Sequence, residues 1–266
     1  MPAFSLALID PVAGPALLAS VVAGLSTLLG ALPALFLKRL GPLATSLLLA
    51  FGAGVMLAAT AFALIAPALE MHAELGLRGH PLLSVWGGIL AGGGLVFVGD
   101  RLIPHEHFLK GREGGADGRA VKRAWLFVAA IALHNLPEGL AVGAGFGGPD
   151  DGTGLTIATG IVLQNLPEGL VAAVSLLAVG YGRRTAIGIA GATGLFETLG
   201  GILGIATFTL VQALVPFVLA LAGGAMLYVV AQEVIPEAYR RGVERPATWG
   251  LVVGFGVMLS LDQLLG

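Results

Sequence analysis

The sequence predicts an all-α polytopic membrane protein of eight transmembrane helices. Three observations carry that prediction: overall apolarity, repeated apolar stretches long enough to cross a bilayer, and basic residues that alternate between the connections. Of the 266 residues 56% are apolar and only 11% charged, with a mean hydropathy of +0.92. A water-soluble domain of that composition lacks the polar surface to cover itself, so lipid is the expected surrounding.

A membrane helix needs about 20 mostly apolar residues. Such stretches fall at 12–37, 43–69, 82–100, 124–147, 152–179, 185–210, 213–238 and 247–265. Together they read as one transmembrane domain over 1–266. No Lys or Arg precedes Lys38, so the first stretch lacks the basic leader of a cleaved signal peptide and reads as a retained span.

The 14 Lys and Arg residues test this division independently, because cytoplasmic loops retain positive charge. The first connection holds Lys38 and Arg39, and the third runs from Arg101 through Lys110 and Arg112 to Lys122 and Arg123. The fifth holds Arg183 and Arg184, and the seventh Arg240, Arg241 and Arg245. Only Arg78 lies in an even-numbered connection, and a missed or invented helix would scramble the pattern. Both termini are expected on the non-cytoplasmic side.

Glycine supports tight packing of these helices. The chain has 42, with runs such as Gly92-Gly93-Gly94 and Gly200-Gly201 that let membrane helices approach closely. The one long connection, 101–123, is polar and glycine-rich through Gly111-Arg112-Glu113-Gly114-Gly115, and reads as mobile cytoplasmic chain.

Several functions are excluded at this stage. A net charge of −2 and a pI near 6.2 give no basic footprint for nucleic acid. With no cysteine, a metal would be held by imidazole, carboxylate, amide or backbone oxygen.

The chemistry concentrates in a repeat. The fourth stretch contains His134-Asn135-Leu136-Pro137-Glu138-Gly139-Leu140 and the fifth Gln164-Asn165-Leu166-Pro167-Glu168-Gly169-Leu170, which differ only in the first residue. Both copies fall near the bilayer midplane on helices that run oppositely. Positions i and i+4 share a helix face, so His134 stands over Glu138 and Gln164 over Glu168, with Asn135 and Asn165 alongside. Pro137 and Pro167 have no N–H, which frees the carbonyls of Leu133 and Leu163 one turn earlier.

An ionised carboxylate at a helix centre in the bilayer costs at least roughly 2.5 kcal/mol, so two facing each other demand a compensating cation or protons. A divalent metal supplies that compensation. One imidazole with carboxylate and amide oxygens suits Zn²⁺, Cd²⁺, Fe²⁺ or Mn²⁺, and the histidine favours Zn²⁺. Glu197 lies deep enough in the sixth stretch to complete a shared site, while Glu233 nears the cytoplasmic end of the seventh. His105 and His107 in the long loop, and Glu70, His72 and Glu74 on the second connection, read as solvated groups.

Two rival functions share some of these features. A proton-coupled transporter of a small organic solute would use paired glutamates as a relay. An intramembrane metal-dependent hydrolase would need a water-activating arrangement such as H-E-x-x-H, whereas the spacing here is His-x-x-x-Glu with no second histidine following.

The two motifs together resemble the ZIP (Zrt-, Irt-like) metal transporters, particularly their bacterial GufA-like branch, and the resemblance covers essentially the whole chain. It implies a bundle whose fourth and fifth helices form the metal path, a binuclear centre, a homodimer in the bacterial inner membrane, and inward metal movement by sliding of a transport bundle. By position, His134, Glu138, Gln164 and Glu168 resemble one metal site. Asn135, Glu138, Asn165, Glu168 and Glu197 resemble the adjoining one, with the two glutamates bridging. Asp100, Glu233 and Asp262 resemble positions along the path. The chain departs from many members in carrying Gln164 and Gln232 where they carry histidine, and in lacking a long His-rich third loop.

Overall fold

The computed structural model describes residues 11–37, 41–102, 118–146, 152–240 and 242–265. Every regular element among them is helical. We number the eight long helical segments in chain order: α1 Ala13–Ala31, α2 Pro42–Glu74, α3 Pro81–Leu102, α4 Gly118–Gly145, α5 Thr153–Ala178, α6 Arg183–Leu210, α7 Gln212–Tyr239 and α8 Glu244–Leu265. Seven of the segments are long and apolar enough to cross a membrane, and the remaining one is α4, 28 residues long, which carries the first motif.

The helix α4 begins at Gly118 rather than near 124, so part of the expected mobile loop 101–123 is helical. The physical reason is that apolarity marks where a helix enters lipid, not where it starts. Arg119, Ala120, Lys122 and Arg123 are good helix formers in water. Residues 103–117, with His105 and His107, lie outside the described residues.

At the described turns the chain reverses within a few residues. The reversal into α5 passes through Gly152 at φ +79°, a left-handed conformation that side-chain-bearing residues rarely adopt. At the other end of α5, the N–H of Tyr181 donates to the Leu176 carbonyl and that of Gly180 to the Leu177 carbonyl, closing the helix around a left-handed Gly180. The Tyr181 ring then packs edge-on against Trp125 of α4, whose indole N–H donates to the Tyr181 hydroxyl at 2.7 Å. One turn therefore ties the ends of α4, α5 and α6 together.

The helices divide into two units. In the first, α1, α4, α5 and α6 pack on one another; in the second, α2 packs on α8 and α3 on α7, with α2 also against α7. The units meet where α5 lies along α2 and α4 along α7. Lipid is as apolar as a leucine side chain, so what holds membrane helices together is close packing. Both units achieve it through glycine. A Cβ on Gly194 would sit 2.0 Å from the Gly24 carbonyl oxygen in the first unit, and one on Gly54 would sit 2.0 Å from the Leu251 carbonyl oxygen in the second.

Proline acts differently in the two units. In α2 and α7 the helix widens into π turns, Ala59–Ile65 and Val230–Val234, just ahead of Pro67 and Pro236. The wider turn accommodates a residue that cannot donate a backbone hydrogen bond. In α4 and α5, Pro137 and Pro167 sit inside helices that remain α-helical throughout.

Candidate metal centre

The motif helices α4 and α5 meet inside the first unit, and α6 closes over them. That approach depends on Gly139, the residue after Glu138: a Cβ there would fall 1.8 Å from the Glu197 carbonyl oxygen. Only hydrogen at this position lets α6 press against α4, which brings Glu197 beside Glu138.

The polar residues of both motifs are buried. Asn135, Glu138, Gln164, Asn165 and Glu197 have no exposed surface and Glu168 is 2% exposed. Gln164 and Asn165 of α5 reach Glu138 of α4 and Glu197 of α6, and Glu168 lies one turn beyond Gln164 on its face. Three carboxylates thus share one interior, where uncompensated negative charge is costly.

The amides are held by their nitrogens. Gln164 Nε2 donates to Glu138 Oε1. Asn165 Nδ2 donates to Glu197 Oε2 at 2.7 Å and to the Ala23 carbonyl of α1 at 3.0 Å. Asn135 Nδ2 donates to Thr193 Oγ1 at 3.5 Å. Among the described residues, Asn135 Oδ1, Glu138 Oε2, Gln164 Oε1, Asn165 Oδ1 and Glu197 Oε1 are buried with no hydrogen-bond partner. A buried oxygen left unpaired costs about 1–3 kcal/mol, and these five on three neighbouring helices form a set of acceptors that a cation could satisfy.

The donor set is rich in oxygen. Among the described residues no group of three or more His, Cys, Asp and Glu side chains stands ready to hold a metal, and the unpaired amide oxygens of Asn135, Gln164 and Asn165 are further donors in the same interior. The side chain of His134 lies outside the described residues, although its backbone belongs to α4. One and two turns before Gln164, Ile161 and Ile157 are buried in one apolar cluster with Met56 and Met226, which seals one side of the polar layer with hydrocarbon.

The remaining sequence candidates are elsewhere. Glu233 lies in the π turn of α7 and is half-buried; Asp262 near the end of α8 is also half-buried. The side chain of Asp100 lies outside the described residues. Glu70 and Glu74 are exposed, but His72 is buried, contrary to its reading as a solvated loop group, because α2 continues to Glu74 and packs that turn against α7. Sequence reasoning passed over Thr193 and the Ala23 carbonyl. Thr193 carries a signal in retrospect, since it lies one helical turn before Glu197 and shares its face.

Fold and site together define a class: a polytopic all-α membrane protein with a buried, oxygen-rich, acidic centre between antiparallel helices. A family model described as ZIP Zinc transporter matches residues 104–262. The chain is 45% identical over 254 residues to the Zinc transporter GufA of Myxococcus xanthus, covering 95% of this chain and 100% of that protein. It is 42% identical to the Zinc transporter ZIPB of Bordetella bronchiseptica, over 95% of this chain and 82% of that protein. The human Zinc transporter ZIP11 is 31% identical over 82% of this chain and 87% of its own length. The chain belongs to the ZIP family of metal transporters, and the hydrolase alternative falls away.

Proposed function

We propose that this chain carries divalent transition-metal ions across the bilayer toward the cytoplasm, Zn²⁺ foremost and Cd²⁺, Fe²⁺ and Mn²⁺ as further substrates. The observation that carries the reading is the set of unpaired buried oxygens among three buried carboxyl groups on α4, α5 and α6. A divalent cation satisfies both at once: it neutralises charge and accepts lone pairs from amide and carboxylate oxygens. The relatives named as zinc transporters favour Zn²⁺ within that class.

In this reading the ions are substrate, held at two adjoining positions. His134, Glu138, Gln164 and Glu168 form one, and Asn135, Glu138, Asn165, Glu168 and Glu197 the other. The glutamates bridge, so each ion lowers the repulsion the other would meet. Asp100, Glu233 and Asp262 line the path beyond. The division into two internally packed units supports transport by sliding of α1, α4, α5 and α6 along α2, α3, α7 and α8, which carries the ions past the apolar surface that the second unit presents at Met56 and Met226. The whole chain acts as one transport domain, works as a homodimer in the bacterial inner membrane, and holds both termini on the non-cytoplasmic side, as the alternation of basic residues supports.

The test is uptake into liposomes that contain a metal-sensitive dye, comparing Zn²⁺, Cd²⁺, Mn²⁺ and Fe²⁺ for the unaltered protein and for Glu138→Ala. Zn²⁺ uptake that disappears in the variant, with its melting temperature retained, is the expected result. Uptake of no metal by the unaltered protein under several pH gradients would contradict the reading and favour a proton-coupled organic solute.

A further inference from the structure

An asparagine side chain is nearly symmetric in shape, yet one end accepts hydrogen bonds and the other only donates. A cation site needs the accepting end. What turns an amide is therefore as consequential as where it sits.

Each amide of the centre faces an obligatory acceptor with its nitrogen. For Gln164 the acceptor is the Glu138 carboxylate, and for Asn165 it is the Glu197 carboxylate and the Ala23 carbonyl. For Asn135 it is a hydroxyl, which in general donates or accepts. Here the ambiguity is removed: the single proton of Thr193 Oγ1 goes to the Ala190 carbonyl one turn back, at 2.7 Å. The hydroxyl is left with lone pairs only, so it accepts from Asn135 Nδ2, and Asn135 Oδ1 is left unpaired in the interior. Thr193 is itself buried, at 4% exposure, so water does not compete for that lone pair.

We propose that Thr193 is a positioning residue for transport, which turns the Asn135 amide so that its oxygen rather than its nitrogen meets the metal ion. Among the groups that hold the three amides, Thr193 is the one side chain not itself assigned as a ligand, so it can be changed without removing a donor. The proposal rests on Asn135 being a ligand, as in the proposed function. Valine matches threonine in shape and removes the hydroxyl, whereas serine keeps it.

The test measures half-saturating Zn²⁺ and maximal rate for liposome uptake, with the melting temperature of each protein. Thr193→Val is expected to raise half-saturating Zn²⁺ about twofold, the effect of a hydrogen bond at the weak end of the net range, as its 3.5 Å length indicates, with a smaller change in rate. Thr193→Ser is expected to stay near the unaltered protein, and Asn135→Ala to show at least the Thr193→Val effect. If Asn135→Ala raises half-saturation and Thr193→Val does not, the positioning role is overturned while the site stands. If Asn135→Ala is itself without effect, Asn135 is not a ligand and both the assignment and the proposal fall. A Thr193→Val protein that loses only melting temperature and maximal rate, or a Thr193→Ser protein as impaired as Thr193→Val, would assign Thr193 a packing role and overturn the proposal.

Discussion

Within each four-helix unit many of the tightest glycine approaches are to the backbone of the neighbouring helix, whereas Gly160 and Gly52 at the seam between the units face side chains. In the first unit, a Cβ on Gly139 would fall 1.8 Å from the Glu197 carbonyl oxygen and one on Gly169 would fall 2.0 Å from that of Thr27. In the second, a Cβ on Gly92 would fall 1.9 Å from the Leu221 carbonyl oxygen. Across the seam, a Cβ on Gly160 would meet the Met258 sulfur at 2.5 Å, and one on Gly52 would lie 3.6 Å from Glu168 Oε1. Backbone cannot yield without moving a helix, but the end of a methionine swings through rotatable bonds. The difference teaches that the molecule is stiff where it builds the polar centre and adaptable where that centre faces its neighbour.

The comparison breaks first, and most severely, inside a unit. Gly139→Ala is expected to force α4 off α6, destabilise the protein by about 3 kcal/mol and separate Glu138 from Glu197. A melting temperature lower by roughly 10 °C, together with lost uptake, is the expected outcome. An alanine variant with native stability would show that this contact is not tight.

At the seam a larger substitution is expected to damage transport without damaging the fold. Gly52→Leu puts a side chain against the Glu168 carboxylate, and uptake is expected to fall at least tenfold while the melting temperature moves by only a few degrees. Gly160→Ala is milder still, since Met258 can withdraw; its stability is expected to change by less than about 1 kcal/mol, with any loss appearing in maximal rate.

Smaller effects sharpen the picture within the centre. Gln164→His replaces an amide oxygen by an imidazole nitrogen and is expected to shift the ratio of Zn²⁺ to Mn²⁺ uptake severalfold toward Zn²⁺, with transport retained. Smallest of all is Arg240→Ala, which removes a 2.9 Å pair with Glu237 whose arginine side chain is 51% exposed. Exposed pairs contribute about 0–1 kcal/mol, so both uptake and melting are expected to remain unchanged.

Much of this was legible in the sequence because a bilayer constrains sequence directly. Helices that cross lipid must be long and apolar, and the repeated Asn-Leu-Pro-Glu-Gly on successive helices places its polar groups at one depth. Glu197 could be joined to them from its depth alone. The start of α4 was not legible, because Gly118 to Arg123 is helical outside the apolar stretch. Nor was the pairing of α8 with α2, which lie far apart in sequence and meet through glycines whose partners are backbone atoms. Thr193 was hidden for a related reason: a threonine in a helix ordinarily bonds its own backbone, as this one does to Ala190. Only the neighbouring helix reveals what its remaining lone pairs accept.

The two motifs stand or fall together in the amount of zinc the purified protein holds. Zinc bound per chain at saturation, read by elemental analysis after equilibrium dialysis, is expected to be two for the unaltered protein and to fall below one in both Glu138→Ala and Glu168→Ala, with folding intact. Two tightly held ions per chain in either variant would contradict a centre bridged by both glutamates.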